Sequence, residues 1–251
     1  MLLPLLIIDR LRPSDAIQNS HAKNVATASQ WKALASALFL LSYALCFSLA
    51  YVQLKTGVGA LILFASVQLT MMGGSHLLGV RATVKEWLGL ALAFVGLVYL
   101  LLPGLTAPPI AGAVLMIAAG ASWGLYSLLG KGNPRPVIAT ARNFLLCLPF
   151  CAVIALMLLL GWTPESFVSD STGITLAVCS GALASGIGYV LWYVALGHIS
   201  VTTASIAQLS VPILAGIGGI IFLHEQPSLR LLIAAIIIIC GIAIAISARA
   251  K

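Results

Sequence analysis

The sequence predicts an all-α membrane protein, a polytopic helical bundle made of two inverted repeats of five helices, the first repeat shortened at its N-terminus. Three observations predict it. Of 251 residues, 61% are hydrophobic and only 8% are charged, and the mean hydropathy of +1.11 lies far outside the range of soluble globular chains. Eight apolar runs are long enough to cross a bilayer, which takes about 20 residues at helical rise. Finally, sliding the chain against itself by 145 residues gives one register that keeps matching without gaps.

The eight runs are 33–54, 57–79, 87–105, 110–130, 143–161, 173–197, 199–223 and 229–248. The second crowds Ser66, Gln68 and Thr70 at its centre. The fourth sets Ala119, Trp123 and Tyr126 at i, i+4 and i+7, and the sixth does the same with Ser185, Tyr189 and Trp192. On the seventh, Thr202, Ser205, Gln208 and Pro212 follow i, i+3, i+6 and i+10, broadly along one face. Small residues four apart, Gly120 with Gly124, Gly181 with Ser185 and Ala215 with Gly219, let helix backbones approach closely. Connections after Lys32 are short, which leaves no room for a soluble domain.

A net charge of +7 could indicate nucleic acid, but the basic residues sit at helix ends and form no patch with interleaved aromatics. Their placement reads as topology instead. Alternate loops put Arg10, Arg12, Lys23, Lys32, Arg81, Lys85, Lys131, Arg135, Arg142, Arg249 and Lys251 on one side, against Lys55 and Arg230 on the other. Eleven against two makes the first side cytoplasmic. The expected location is the cell membrane, a bacterial inner membrane, with the C-terminus in the cytoplasm.

In the 145-residue register Ala50 falls on Ala195, Gly74 on Gly219, Gly96 on Gly241, and Pro4 on Pro149. The first three runs land on the last three. The second copy starts near Pro109, so the first is expected to start about 37 residues before Met1, with one helix and half of another missing. The expected division is a first repeat over 1–105 and a second over 106–251. Five is an odd number of crossings, so the two copies traverse the membrane in opposite senses, as in many secondary transporters.

Chemistry inside the membrane is neutral. No Asp or Glu falls near a span centre, and the deepest ionisable residues are His76 and Glu225 at helix ends; a carboxylate at a helix centre costs about 2.5–3.5 kcal/mol on insertion scales. Backbone freed by Pro212 must be satisfied by protein or water, so the seventh span is expected to face a cavity. The alternatives are that Ser205, Gln208 and Ser210 glue helices together and that Trp192 and Tyr193 anchor at the interface. All five cysteines lie within spans and read as small buried hydrophobes, with neither disulfide nor metal-ligand spacing. "GASWG" at 120–124 matches G-x-S-x-G, but a nucleophile elbow needs a strand entering a sharp turn, whereas Ser122 lies in an apolar helix without an acidic partner. No catalytic residue, cofactor or metal is expected.

"GASWGLYSLLGKG" (120–132), "VQLTMM" (67–72), "WLGLALAFVGLVYLLLPG" (87–104) and "ALASGIGYVLWYVALGHISVTTASIAQLSVPILAGIGGIIFLHE" (182–225) give the chain a resemblance to the EamA-type branch of the drug/metabolite transporter superfamily. The resemblance covers the chain from residue 33 onward. It implies a ten-helix carrier of small organic molecules, with both termini cytoplasmic and a central cavity bordered by Gln68, Trp123, Tyr126, Tyr189, Trp192, Ser205 and Gln208. Pro212 is the expected helix kink. The chain departs from members that read Gly-Glu-Arg at the end of the fourth helix, since here the residues are Gly79, Val80 and Arg81. The expectation is a secondary transporter working by alternating access on a small metabolite or toxic compound. Its partners would be that solute and the lipid bilayer, with no nucleic acid and with a homodimer left open. The alternative is a non-transporting membrane subunit or an inactive fragment.

Overall fold

The computed structural model describes residues 21–104, 107–160, 170–224 and 226–248. Pro4, Arg10, Arg12, Glu225, Arg249 and Lys251, on which parts of the charge and repeat arguments rest, lie outside the described residues, as does the side chain of Lys23. In chain order the elements are α1 His21–Gln53, α2 Thr56–Leu77, α3 Val84–Leu101 with a 3-10 turn Leu102–Gly104, α4 Ile110–Gly130 and α5 Pro136–Leu159. Then follow α6 Ser171–Val178, a π-helical stretch Cys179–Ser185, α7 Gly186–His198, α8 Val201–Ala207, a 3-10 turn Gln208–Ser210, α9 Val211–Leu223 and α10 Leu229–Ser247. Among the described residues the fold is all helix, and eight segments are long and apolar enough to cross a membrane. The protein is a polytopic helical membrane protein.

The spans, the first being Gln30–Gln53 within α1, begin and end within a few residues of the apolar runs, with one informative exception. The fifth starts at Pro136, seven residues before the run 143–161. Its first two turns carry Thr140, Arg142 and Asn143, which break the apolar pattern but not the helix. Pro136 at the first helical position costs no hydrogen bond there, because that N–H would have no intrahelical partner.

The helices gather into two compact units, Ser42–Leu128 with Ile199–Lys251, and Met1–Leu41 with Leu129–His198. In the first, Phe64, Ala93, Leu97, Ile206, Leu209, Ile213 and Ile238 form a buried core. Its tightest seam joins α3 to α10. A Cβ on Gly241 would stand 2.6 Å from both the Gly89 carbonyl oxygen and the Ala93 amide nitrogen, and one on Gly96 would stand 2.8 Å from Ile238. The contacts Gly96–Ile238 and Gly241–Ala93 are mates, since adding 145 to Gly96 gives Gly241 and subtracting it from Ile238 gives Ala93. Buried Gly89, Ala93 and Gly96 on α3 likewise stand 145 residues before buried Ala234, Ile238 and Gly241 on α10. Gly79 and His224, also 145 apart, both take a left-handed conformation just after a helix, with φ of 82° and 54°. His224 accepts a strained backbone where a glycine would adopt it freely.

A carboxylate that sequence reasoning passed over lies in the same unit. Glu86 is fully buried in the first turn of α3. Its Oε2 accepts from the Thr83 amide at 2.8 Å while Thr83 Oγ1 accepts from the Glu86 amide at 3.2 Å, a reciprocal capping box. Its Oε1 accepts from Ser200 Oγ at 3.2 Å, tying the start of α3 to the start of α8. Glu86 is thus a carboxylate buried within the protein at a helix start, while His76, one of the two residues expected to lie deepest in the spans, is exposed on the protein surface and Glu225, the other, lies outside the described residues.

In the second unit Cys147 Sγ donates to the Ala37 carbonyl at 3.3 Å, Asn143 donates to the Tyr193 hydroxyl at 3.4 Å, and Phe144 and Tyr189 stack at 5.7 Å between centroids. Lys131 Nζ donates to the Leu196 carbonyl at 2.5 Å, closing the end of α7. The expected close packing at Gly181 is not found. A Cβ there would meet nothing within 4 Å, because the chain widens into the π-helical stretch and turns this face outward. Cys151, Cys179 and Cys240 are exposed on the protein surface, and Cys147 alone of the five is buried, which corrects the expectation that all five are buried. Their side chains are apolar enough to suit a lipid-facing surface as well as a core.

The α3–α10 seam yields a stability prediction. Gly241→Ala forces two backbones apart and should cost about 1–3 kcal/mol, the usual range for overpacking. Gly218→Ala, whose Cβ meets nothing within 4 Å, should be neutral or slightly stabilising because alanine is the better helix former. Thermal unfolding of the detergent-solubilised variants checks both.

Candidate functional site

The site is built outward from Pro212. Proline has no N–H to give the carbonyl four residues back, which here belongs to Gln208. The Val211 N–H bonds that carbonyl instead, and Gln208–Ser210 tightens into a 3-10 turn between α8 and α9. The interruption expected at Pro212 thus occupies the turn preceding it. Ser205 and Ser210 return their hydroxyls to the carbonyls of Thr202 and Ala207, each at 2.8 Å, satisfying themselves within their own segment.

Gln208 projects from this turn with both ends of its amide engaged. Its Oε1 accepts from Trp123 Nε1 at 2.5 Å and its Nε2 approaches Met71 Sδ at 3.2 Å. Gln68, buried on α2, donates from Nε2 to the Ser205 carbonyl at 2.6 Å. The Gln68 Oε1 and the Thr202 Oγ1 are buried with no hydrogen-bond partner among the described residues. A buried amide oxygen and a buried hydroxyl left open cost about 1–3 kcal/mol each unless water bonds to them.

Trp123 continues the network as an aromatic strip. Its ring lies 5.6 Å from Tyr126 and 5.0 Å from Tyr43, and Tyr43, Phe47 and Tyr51 follow one another up α1 at 5.5 and 4.7 Å. α4 can press this strip against α2 because it is thin there: a Cβ on Gly120 would stand 2.6 Å from Ser66 Cβ, and one on Gly124 would stand 2.7 Å from Thr70 Cβ. Trp123 is half-buried, whereas Tyr126 is wholly buried. A cavity of about 510 Å³ opens beside Gln68, lined also by Met72, His76, Arg81, Trp87 and Leu90.

Of the sequence-predicted residues, Gln68, Trp123, Tyr126, Ser205 and Gln208 fall in one compact unit and are joined by these contacts. Tyr189 and Trp192 belong to the other unit, both half-buried on α7. Sequence reasoning missed Tyr43, Phe47 and Tyr51, although their spacing of four was a readable helical stripe. It also missed Met71, His76 as a wall of the cavity, and Trp87. Ser122, the one serine in an elbow-like pattern, donates to Ser42 Oγ at 3.0 Å from the middle of a helix. Among the described residues no group of His, Cys, Asp and Glu could hold a metal.

Comparison with known proteins agrees with this architecture. The EamA-like transporter family matches residues 110–247. An uncharacterized protein of Pseudomonas aeruginosa, PA1977, is 45% identical over 215 residues, covering 86% of this chain and 72% of that one. A probable amino-acid metabolite efflux pump of Salmonella typhimurium is 26% identical over 199 residues, covering 75% of this chain and 67% of the pump. A crystal structure of another protein, at 20% identity, has the same fold with a TM-score of 0.72 over 87% of this chain and 76% of its own. The chain belongs to the EamA-like transporter family, within the drug/metabolite transporter class of multi-pass membrane transporters.

Proposed function

We propose that the protein is a secondary carrier that moves a small organic metabolite across the membrane by alternating access, holding it on the uncharged strip that ends at Trp123 and Gln208. The observation that carries this reading is the Trp123–Gln208 hydrogen bond. It joins a half-exposed indole to an amide fixed by a broken helix, a polar pair set among apolar spans where polar groups otherwise exact a cost. Gln68, which lines the cavity and keeps an open amide oxygen, suits a solute that brings N–H or O–H donors, and the rings suit a flat or ammonium-bearing body through stacking and cation–π contact. An amino acid or a derivative of one has both features, and the efflux pumps among the relatives carry amino-acid metabolites by name.

Alternating access in this reading comes from two repeats of opposite sense. The mated contacts across the α3–α10 seam and the paired left-handed residues Gly79 and His224 support an internal repeat. In this reading the repeats meet near residue 105, and the loop side rich in Lys and Arg faces the cytoplasm, so that a reporter fused after Lys251 is active only if it works inside the cell. A fused alkaline phosphatase that turned out active would reverse the topology.

The transport test uses the full chain in vesicles and labelled amino acids with their metabolites. Trp123→Phe keeps a ring but removes the donor to Gln208, and should lower uptake at low solute concentration about tenfold, as for about 1.4 kcal/mol. Gln208→Leu should do the same. The double variant should lose little more than either single one, since both remove one interaction. Full transport by both single variants, with the proteins inserted normally, would show that the solute passes elsewhere.

A further inference from the structure

The second compact unit holds a cavity of about 540 Å³ that the transport reading leaves unused. Its walls include Lys32, Ser36, Arg135, Arg142, Asn143 and Tyr193, so three cations face one space, and among the described residues no carboxylate lines it. Asn143 and Tyr193 are 3% and 2% exposed. They form a polar floor, the amide donating to the phenol at 3.4 Å. The rim is held in shape by the turn at Gly132, with φ of 71°, and by Asn133 Oδ1, which accepts from the Arg135 amide at 2.9 Å. The cavity also lies against the first turn of α5, a helix of 24 residues whose N-cap side chain makes no capping hydrogen bond. That end of a helix carries a partial positive charge of its own.

Membrane topology needs basic residues in this loop, but it does not need them turned into a concave space over buried polar groups. Like charges facing one another across a cavity repel, and an anion entering it relieves that repulsion while gaining charge-assisted hydrogen bonds. We propose that this cavity is an anion site that takes an oxyanion, the carboxylate or phosphate of a small organic molecule, between Lys32, Arg135 and Arg142. Arg135 and Arg142 can each present a fork of N–H donors to two oxygens, Lys32 adds a point charge, and Asn143 supplies a neutral donor from below. The site deepens the carrier reading in one respect only: if the anion is cargo, the transported metabolite carries an acid group.

The experiment reads binding without transport. The full chain is placed in nanodiscs of phosphatidylcholine and treated with phenylglyoxal, and modification of Arg135 and Arg142 is followed by peptide mass spectrometry, with Arg230 as the reference. Acetate and inorganic phosphate are the probes, compared with chloride at equal ionic strength. Both probes should slow labelling of Arg135 and Arg142 but not of Arg230, and Lys32→Gln should raise the phosphate concentration needed about tenfold. Lys32→Arg, which keeps the charge, should restore most of the protection, and Lys32 is exposed, so neither change threatens the fold. Nanodiscs containing phosphatidylglycerol separate the two sources of oxyanion. Labelling that is already slow there, with no further response to phosphate, assigns the site to a lipid headgroup, and a preserved response assigns it to a soluble acid. Equal labelling with and without anions in both lipids, or protection unchanged in Lys32→Gln, overturns the site. That result would leave the carrier standing if solute transport persists, while protection without any transport would sink the carrier and spare the site.

Discussion

Lipid offers no hydrogen bond, and every irregularity of this chain inside its spans has to be settled by another part of the protein. The constraint bears hardest at Pro212. The carbonyl of Gln208 loses its ordinary partner, the Val211 amide takes it over in a tighter turn, and the side chain of Gln208 emerges from that turn beside Trp123. Ser205 and Ser210 bond back into their own segment, and the Ser205 carbonyl accepts from Gln68. One missing N–H thus explains why the polar groups of the seventh span cluster where they do. A regular helix would have spread the same residues along a face without fixing any of them to α2 or α4.

The second constraint is steric and lies on the α3–α10 seam. Two helices without a hydrophobic drive to associate in lipid are held by close packing, which glycine permits by removing Cβ. Gly89, Gly96 and Gly241 do this in an antiparallel pair, because Gly89 meets Gly241 and Ala245 whereas Gly96 meets Ile237 and Ile238. The mated contacts follow if each helix plays the same part toward the other. The two mated contacts use different residues of one chain, so a substitution such as Gly241→Ala alters the contact with Gly89 and Ala93 and leaves Gly96 against Ile238 unchanged.

The span boundaries were legible because apolar length is a direct physical requirement of the bilayer, and seven of the eight begin within about three residues of the sequence expectation. The fifth was misplaced because hydropathy reads composition, and its first turns carry Thr140, Arg142 and Asn143 inside a continuous helix. Glu86 was passed over for a related reason. Its T-x-x-E pattern from Thr83 announces a capping box, but nothing local tells that Ser200 from the far end of the chain would cover it. Trp123, Gln208 and Gln68 were readable as polar or aromatic residues at apolar depth. The bonds that Trp123 makes to Gln208 and Gln68 to the Ser205 carbonyl were not, since they join positions 85 and 137 residues apart. The π-helical stretch at Cys179–Ser185 left no trace in the sequence beyond a run of small residues, and small residues signal close packing more often than a widened helix.

The distribution of charge explains how selectivity and translocation can be kept apart. A fixed cation at mid-span would hold an acid tightly and also resist the change between outward and inward states, because desolvating a charge without a partner costs several kcal/mol. Neutral amides and rings bind more weakly and can be exchanged for water at less cost. Charges at the ends of helices act differently. They remain near water, their attraction extends over about a Debye length, roughly 8 Å at physiological salt, and they raise the local concentration of an acid without having to release it from an apolar interior. The strip at Trp123 and Gln208 is built from an indole, an amide, a thioether and phenol rings, whereas Lys32, Arg135 and Arg142 gather around one cavity next to the start of α5. A chain with only 8% charged residues has few to place, and if the proposed carrier and anion site hold, these three stand where Coulomb attraction would capture a solute and not where it would trap one.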